Sequence, residues 1–87
     1  MIEMDKRYRS YQVVDLDDDF VVRESLALCL REFGYNVLTY SSGRLLLDSL
    51  ESIQCDLILC DLSMPEMNGL EFLEKANLRK RGIPVIL

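Results

Sequence analysis

The stretch Asp56-Leu57-Ile58-Leu59-Cys60-Asp61-Leu62-Ser63-Met64-Pro65-Glu66-Met67-Asn68-Gly69 constrains the fold more than any other part of the chain. Leu57 to Cys60 is a short apolar run bounded by carboxylates, which predicts a strand buried on both faces. Asp61 ends that run, where a parallel strand delivers a side chain to the carboxyl edge of its sheet, the edge at which open α/β sheets bind ligands. Pro65 then stops regular pairing, because it lacks an N–H and its φ is fixed. Asn68 is a fair N-cap for the amphipathic run from Leu70. The arrangement holds a carboxylate at a strand tip beneath a stiff loop.

On either side of this stretch the hydrophobic period alternates. Tyr11-Gln12-Val13-Val14 begins a first strand, with the acidic run Asp15 to Asp19 at its end. From Val21 the spacing turns helical, with Val22, Leu26, Cys29, Leu30 and Phe33 on one face and a left-handed stop at Gly34. Asn36 to Tyr40 is a second strand, and Ser41 or Ser42 caps a helix running through Leu45, Leu46, Leu47 and Leu50 to near Ser52. After the central strand, a third helix is expected from Gly69 to about Arg81, with Leu70, Phe72, Leu73 and Ala76 as its apolar side. Ile83 to Leu87 starts a fourth strand. Strands alternating with helices imply a parallel sheet with right-handed crossovers.

With 87 residues, one domain is the limit. Met1 to Ser10 reads as a loose leader and residues 11–87 as the folded part. The last strand has few residues and no covering helix after it, so a fragment of a longer protein is expected; the alternative is an edge supplied by a partner or a swap. A net charge of −5 argues against nucleic acid as a direct partner of this segment. Lys75 and Arg79-Lys80-Arg81 read as a solvated helix end. The apolar runs are too short to span a membrane, and nothing reads as a signal peptide. Cys29, Cys55 and Cys60 form no CxxC pair and read as reduced, mostly buried thiols of a cytoplasmic protein. The chain has no histidine, which removes the usual zinc sites and Ser-His or Cys-His nucleophiles.

The acidic residues carry the chemistry. If the first and third strands are neighbours, the run at Asp15 to Asp19 and Asp61 bring three carboxylates into one pocket, where mutual repulsion raises at least one pKa. A hard divalent cation relieves that conflict. Mg²⁺, which takes oxygen ligands and tolerates only a few carboxylates, is the expected ion. Such a site also suits an incoming phosphoryl group, with an Asp oxygen attacking phosphorus.

Val13-Val14-Asp15, Asp17-Asp18-Asp19, Val22-Arg23-Glu24-Ser25-Leu26 and the segment from Asp61 to Leu70 resemble the receiver domain of two-component response regulators, over about Tyr11 to Leu87. The Asp-x-x-Met-Pro-x-Met-x-Gly piece is the most specific part. The resemblance implies a three-layer, doubly wound, flavodoxin-like parallel sheet with strand order 2-1-3-4-5, here incomplete at the C-terminal edge. It implies a signalling module rather than an enzyme, in which Asp61 accepts a phosphoryl group from a sensor histidine kinase or phosphotransfer protein. It further implies Mg²⁺ on an acidic pair and on the backbone carbonyl of Ser63, and an output domain elsewhere in a longer chain. Tyr40-Ser41-Ser42 and Arg23 to Leu26 lean towards receivers attached to DNA-binding transcription factors.

Counting back from the helix makes Asp17 and Asp18 the metal-side pair with Asp61, whereas the match at the strand end makes Asp15 the alternative. On that count two extra residues sit between strand and helix. The family's hydroxyl residue after the fourth strand and lysine after the fifth lie beyond Leu87. Three rival readings stay open: a degenerate receiver acting as an interaction module, a haloacid-dehalogenase-type phosphatase with Asp15 as nucleophile and Asp17 as general acid, and an EF-hand-like loop from Asp15. The last is spoiled by Phe20 and Leu26, where such a loop needs glycine and glutamate.

Overall fold

The computed structural model describes residues 11–87; the leader expected over Met1 to Ser10 lies outside the described residues. The elements are β1 (Gln12–Leu16), α1 (Phe20–Glu32), β2 (Asn36–Tyr40), α2 (Gly43–Ser49), β3 (Leu57–Cys60), α3 (Gly69–Ala76), α4 (Leu78–Arg81) and β4 (Val85–Ile86). The four strands form one parallel sheet in the order β2-β1-β3-β4. The β1–α1–β2 crossover runs outward on one side and β2–α2–β3 returns on the other, so right-handed connections put α1 on one face and α2 and α3 on the opposite one.

The core lies on the α2 and α3 face. Val14 and Leu16 of β1 sit level with Ile58 and Cys60 of β3, and these four pack with Leu46, Leu50, Phe72 and Ala76. Alternation along the strands sends Val13, Asp15, Leu57 and Leu59 to the other face. There α1 covers β1 and β2 but leaves β3 and β4 partly open. Leu57 and Leu59 are therefore only half-buried, and β3 is buried on one face rather than on both.

Three sequence expectations change. The buried side of α1 is not Val22, Cys29 and Phe33: Val22 is 50% and Phe33 62% exposed, and Cys29 is exposed too. Ala27 is its buried residue, flanked by half-buried Arg23, Leu26 and Leu30. Apolar residues lie all round this helix, so periodicity does not single out the inner stripe. The helix expected from Gly69 to Arg81 is broken at Asn77, which takes a left-handed φ of 52°. Its Leu70 points outward, and Phe72 and Ala76 carry the packing. Of the three thiols only Cys60 is buried; Cys55 is half-buried, and none is in a disulfide.

In Leu45-Leu46-Leu47, Leu45 is outside, Leu46 is in the core and Leu47 packs against it. Among the described residues no helix is long and apolar enough to cross a membrane.

Candidate functional site

The tips of β1 and β3 stand level. The Asp61 amide donates to the Leu16 carbonyl at 2.9 Å, one step past the register pair Leu16 and Cys60. On the other flank the Asp17 amide donates to the Tyr40 carbonyl at 3.1 Å. Asp17 and Asp61 are thus both first residues beyond neighbouring strands, at the same edge of the sheet.

Local hydrogen bonds sort the acidic run. Asp19 caps α1, its Oδ1 accepting from the Val22 amide at 3.1 Å. The Asp19 amide in turn donates to Asp17 Oδ1 at 2.9 Å. Arg23, one turn into α1, donates from Nη1 to the Asp17 carbonyl at 2.8 Å, pairs with Glu24 at 3.6 Å and lies 5.5 Å from the centre of the Phe20 ring. The sequence shows an arginine at this place, but not its grip on Asp17. Beyond β3, the Ser63 amide donates to Asp61 Oδ1 at 3.1 Å.

Carboxylate oxygens of Asp17, Asp18 and Asp61 lie within 4.8 Å of one another, with Asp17 and Asp61 half-buried and Asp18 exposed. Burial raises the pKa of Asp17; the Asp19 amide opposes the shift, while the charges of Asp61, Asp18 and Asp19 add to it. Three acids this close repel one another, and a cation among them would relieve that repulsion. The donors are all carboxylate oxygens, with no thiolate or imidazole among them, and that chemistry fits Mg²⁺.

Asp15 is not part of this group. The expected two-residue insertion after the strand does not occur: β1 runs on through Asp15 and Leu16, which pair with Thr39 and Tyr40 on one side and with Leu59 and Cys60 on the other. Asp15 is 1% exposed, and its Oδ2 has no hydrogen-bond partner. Burial, aided by the charge of Asp17 and opposed by Arg23, pushes its pKa up to about 6. An acidic run reads as loop in a sequence, and only pairing on both sides reveals a strand. Phe20, which already belongs to α1, also removes the calcium-loop reading.

A cleft of about 270 Å³ opens beside the cluster, between Asp15, Asp17, Asp61, Leu26 and Leu59. Below it, Cys60 is buried, and its thiol pKa is raised to about 11 by burial and by the charges of Asp61 and Asp17, so it stays protonated and unreactive.

The loop that shapes the site is closed by its own hydrogen bonds. The Met67 amide donates to the Pro65 carbonyl at 2.7 Å across Glu66, which has a positive φ of 66°. Met64 is buried under the loop and Met67 packs against the core. Asn68 caps α3: its Oδ1 accepts from the Glu71 amide at 2.9 Å, and the Glu71 side chain accepts from the Asn68 amide.

A model of the response regulator receiver domain matches residues 13–87. The response regulator RR06 of Streptococcus pneumoniae is 37% identical over 71 residues, covering 82% of this chain and 32% of its own. The transcriptional regulatory protein ZraR of Escherichia coli is 36% identical over 75 residues, covering 86% of this chain and 17% of its own. The chain therefore spans about a third or less of these relatives. Among solved structures, the response regulator TrrA of Thermotoga maritima in complex with Mg²⁺ and BeF superposes with a TM-score of 0.81 at 31% identity, over 88% of this chain and 67% of that one.

Proposed function

The chain belongs to the response regulator receiver domain family, and we propose that it takes a phosphoryl group on Asp61, with Mg²⁺ held by Asp17, Asp18, Asp61 and the backbone carbonyl of Ser63. The donor is the phosphohistidine of a sensor histidine kinase or a phosphotransfer protein. Residues 11–87 are then the receiver unit. Its readout belongs to an output domain; one relative is named a transcriptional regulatory protein, and this chain covers 17% of it. This reading brings a cytoplasmic location with it, the compartment in which free Cys29, Cys55 and Cys60 stay reduced.

The observation that carries the proposal is the meeting of the Asp17, Asp18 and Asp61 carboxylates at one sheet edge. When bound, the cation supplies positive charge to the acids and to the non-bridging phosphoryl oxygens. The protein's own residues do the rest. The Ser63 amide holds Asp61 Oδ1, which fixes the plane of the nucleophilic carboxylate. The bonds from Asp19 and Arg23 hold Asp17 on its neighbour's level. In the transfer an Asp61 oxygen forms a bond to phosphorus as the phosphorus–nitrogen bond of the donor breaks, and the leaving imidazole nitrogen takes up a proton.

The phosphatase alternative needs Asp15 as an accessible nucleophile. At 1% exposure, inside a strand paired on both sides, Asp15 is poorly placed for attack.

Acetyl phosphate with Mg²⁺, followed by intact mass, tests the reading. The expected result is the gain of one phosphoryl group by the wild-type protein and none by Asp61→Asn. Transfer of the label to Asp15, or an Asp61→Asn variant that still takes it up, overturns the assignment.

A further inference from the structure

We infer that Gly69 is a positioning residue for the carboxylate cluster, an inference that rests on the reading of Asp61 and Ser63 above. A Cβ built on Gly69 would stand 2.7 Å from the Asp61 carbonyl oxygen, 3.1 Å from Leu62 Cα and 3.3 Å from Cys60 Sγ. The first two are backbone atoms at the very peptide that follows the nucleophile, and they cannot swing aside as a side-chain end can. The Gly69 amide also donates to the Leu62 carbonyl at 3.1 Å. The first residue of α3 thus sits directly on the Asp61–Leu62 peptide, at a distance only a bare Cα permits. No positive φ is involved, and the requirement is for space alone.

Asp61 is also held on the N-terminal side of that peptide and at its side chain. The Asp61 amide is bonded to the Leu16 carbonyl, and Asp61 Oδ1 to the Ser63 amide. A methyl group at Gly69 therefore has to move either α3 or the Asp61–Leu62 peptide. The capping box at Asn68 and the wholly buried Phe72 anchor α3 from its first turn. The peptide is the part that yields, and with it the place of the Asp61 carboxylate beside Asp17 and Asp18.

Gly43 is the internal control. A Cβ there meets Met67 Sδ at 2.9 Å, the flexible end of a side chain, and no backbone atom of the site. Both glycines are buried, so Gly43→Ala and Gly69→Ala are comparable insults to packing but differ in what they push.

The test compares the wild-type protein with Gly69→Ala, Gly43→Ala and Asn68→Ala, by amide chemical shifts without metal and by Mg²⁺ titration. In Gly69→Ala we expect metal-free shifts at Asp61, Leu62 and Ser63 that extend to Asp17, and Mg²⁺ binding at least tenfold weaker. Gly43→Ala should keep wild-type affinity whatever it does to the melting temperature. If Gly69→Ala does not fold, Asn68→Ala decides, because losing the cap loosens the seat of Gly69 on the Asp61–Leu62 peptide; it should move the Asp61 and Leu62 shifts and weaken Mg²⁺ about threefold. Wild-type Mg²⁺ affinity and unmoved site shifts in the folded variant tested would overturn the inference. A wild-type protein that ignores Mg²⁺ would instead sink the metal reading of the site, while the metal-free shifts still judge the role of Gly69.

Discussion

The amide of Asp61 is bonded to the carbonyl of Leu16 at 2.9 Å, and this contact ties the site to the sheet. It continues the β1–β3 ladder one step past Cys60, so strand register sets the height of Asp61 relative to Asp17. A one-residue slip would move every β3 side chain to the opposite face and bury the wrong set. The core on Ile58 and Cys60 thus guards the geometry of the acids.

Asp15 makes the stability of the metal-free protein depend on pH in an unusual direction. Its pKa is about 6 in the folded chain against an ordinary 3.8, so the folded state holds its proton more tightly than the unfolded one. Stability therefore rises as the pH falls from about 6 towards 4, and above the folded pKa the penalty is fully present, at roughly 3 kcal/mol for this one group. The raised pKa of Asp17 acts in the same direction. Urea midpoints measured from pH 7.5 down to 4.5 should increase; a flat or falling series would show that Asp15 is solvated.

Removing that carboxyl should stabilise the fold. Asp15→Val replaces a buried group with an unpartnered oxygen by a β-branched side chain suited to a central strand. The expected gain at pH 7.5 is about 1–3 kcal/mol, with most of the pH dependence above abolished. Thermal melts of the two proteins at pH 7.5 and 5 check both parts.

The parts of the molecule legible in the sequence are those where one interaction decides. Pro65 has to separate β3 from α3, and Asn68 has to cap α3, because each acts on its immediate neighbours. The β2-β1-β3 order agrees with alternating elements and the hand of their crossovers. Asp15 misleads because its strand character comes from Thr39 and Leu59, residues far away in the chain. The inner face of α1 misleads because Val22 and Phe33 are as apolar as Leu26 and Leu30; what lies opposite them chooses between them. Nothing in the sequence shows the close seat of Gly69 on Asp61, since a glycine before a helix has many ordinary causes.

Among the described residues Phe72 is the largest fully buried side chain, and it lies in the core shared by α2, α3 and the sheet. Phe72→Ala should cost about 3–5 kcal/mol, which is most of what a domain this small possesses. The variant is expected to lose its cooperative thermal transition at about 37 °C or below, measured by circular dichroism.

Glu66 holds a left-handed backbone conformation, with φ at 66°, in an exposed loop. A side chain with a Cβ costs about 1 kcal/mol there, and glycine does not, although glycine returns part of the gain as unfolded-state entropy. Glu66→Gly should therefore be neutral or stabilising by up to about 0.5 kcal/mol, whereas a β-branched Glu66→Val should destabilise by more than about 1 kcal/mol. Paired urea titrations decide, and equal midpoints for the two variants would show that this loop carries no strain.

The division between Asp15 and the Asp17, Asp18 and Asp61 group can be tested by metal binding alone. Carboxylate oxygens of those three approach within 4.8 Å of one another, whereas Asp15 is enclosed within β1. Mg²⁺ that binds only the folded protein should raise its melting temperature, by an amount that reaches about 2.7 kcal/mol at a hundredfold excess over Kd. Asp17→Asn and Asp61→Asn should each weaken Mg²⁺ at least tenfold and remove that rise, because each deletes a charge from the centre of the cluster. Asp18→Asn, at the exposed rim, should weaken it less. Asp15→Asn should leave the Kd within about threefold of wild type, since no Asp15 oxygen is among the ligand atoms that cluster. Loss of Mg²⁺ binding in Asp15→Asn with retention in Asp17→Asn would reverse the assignment of the pair.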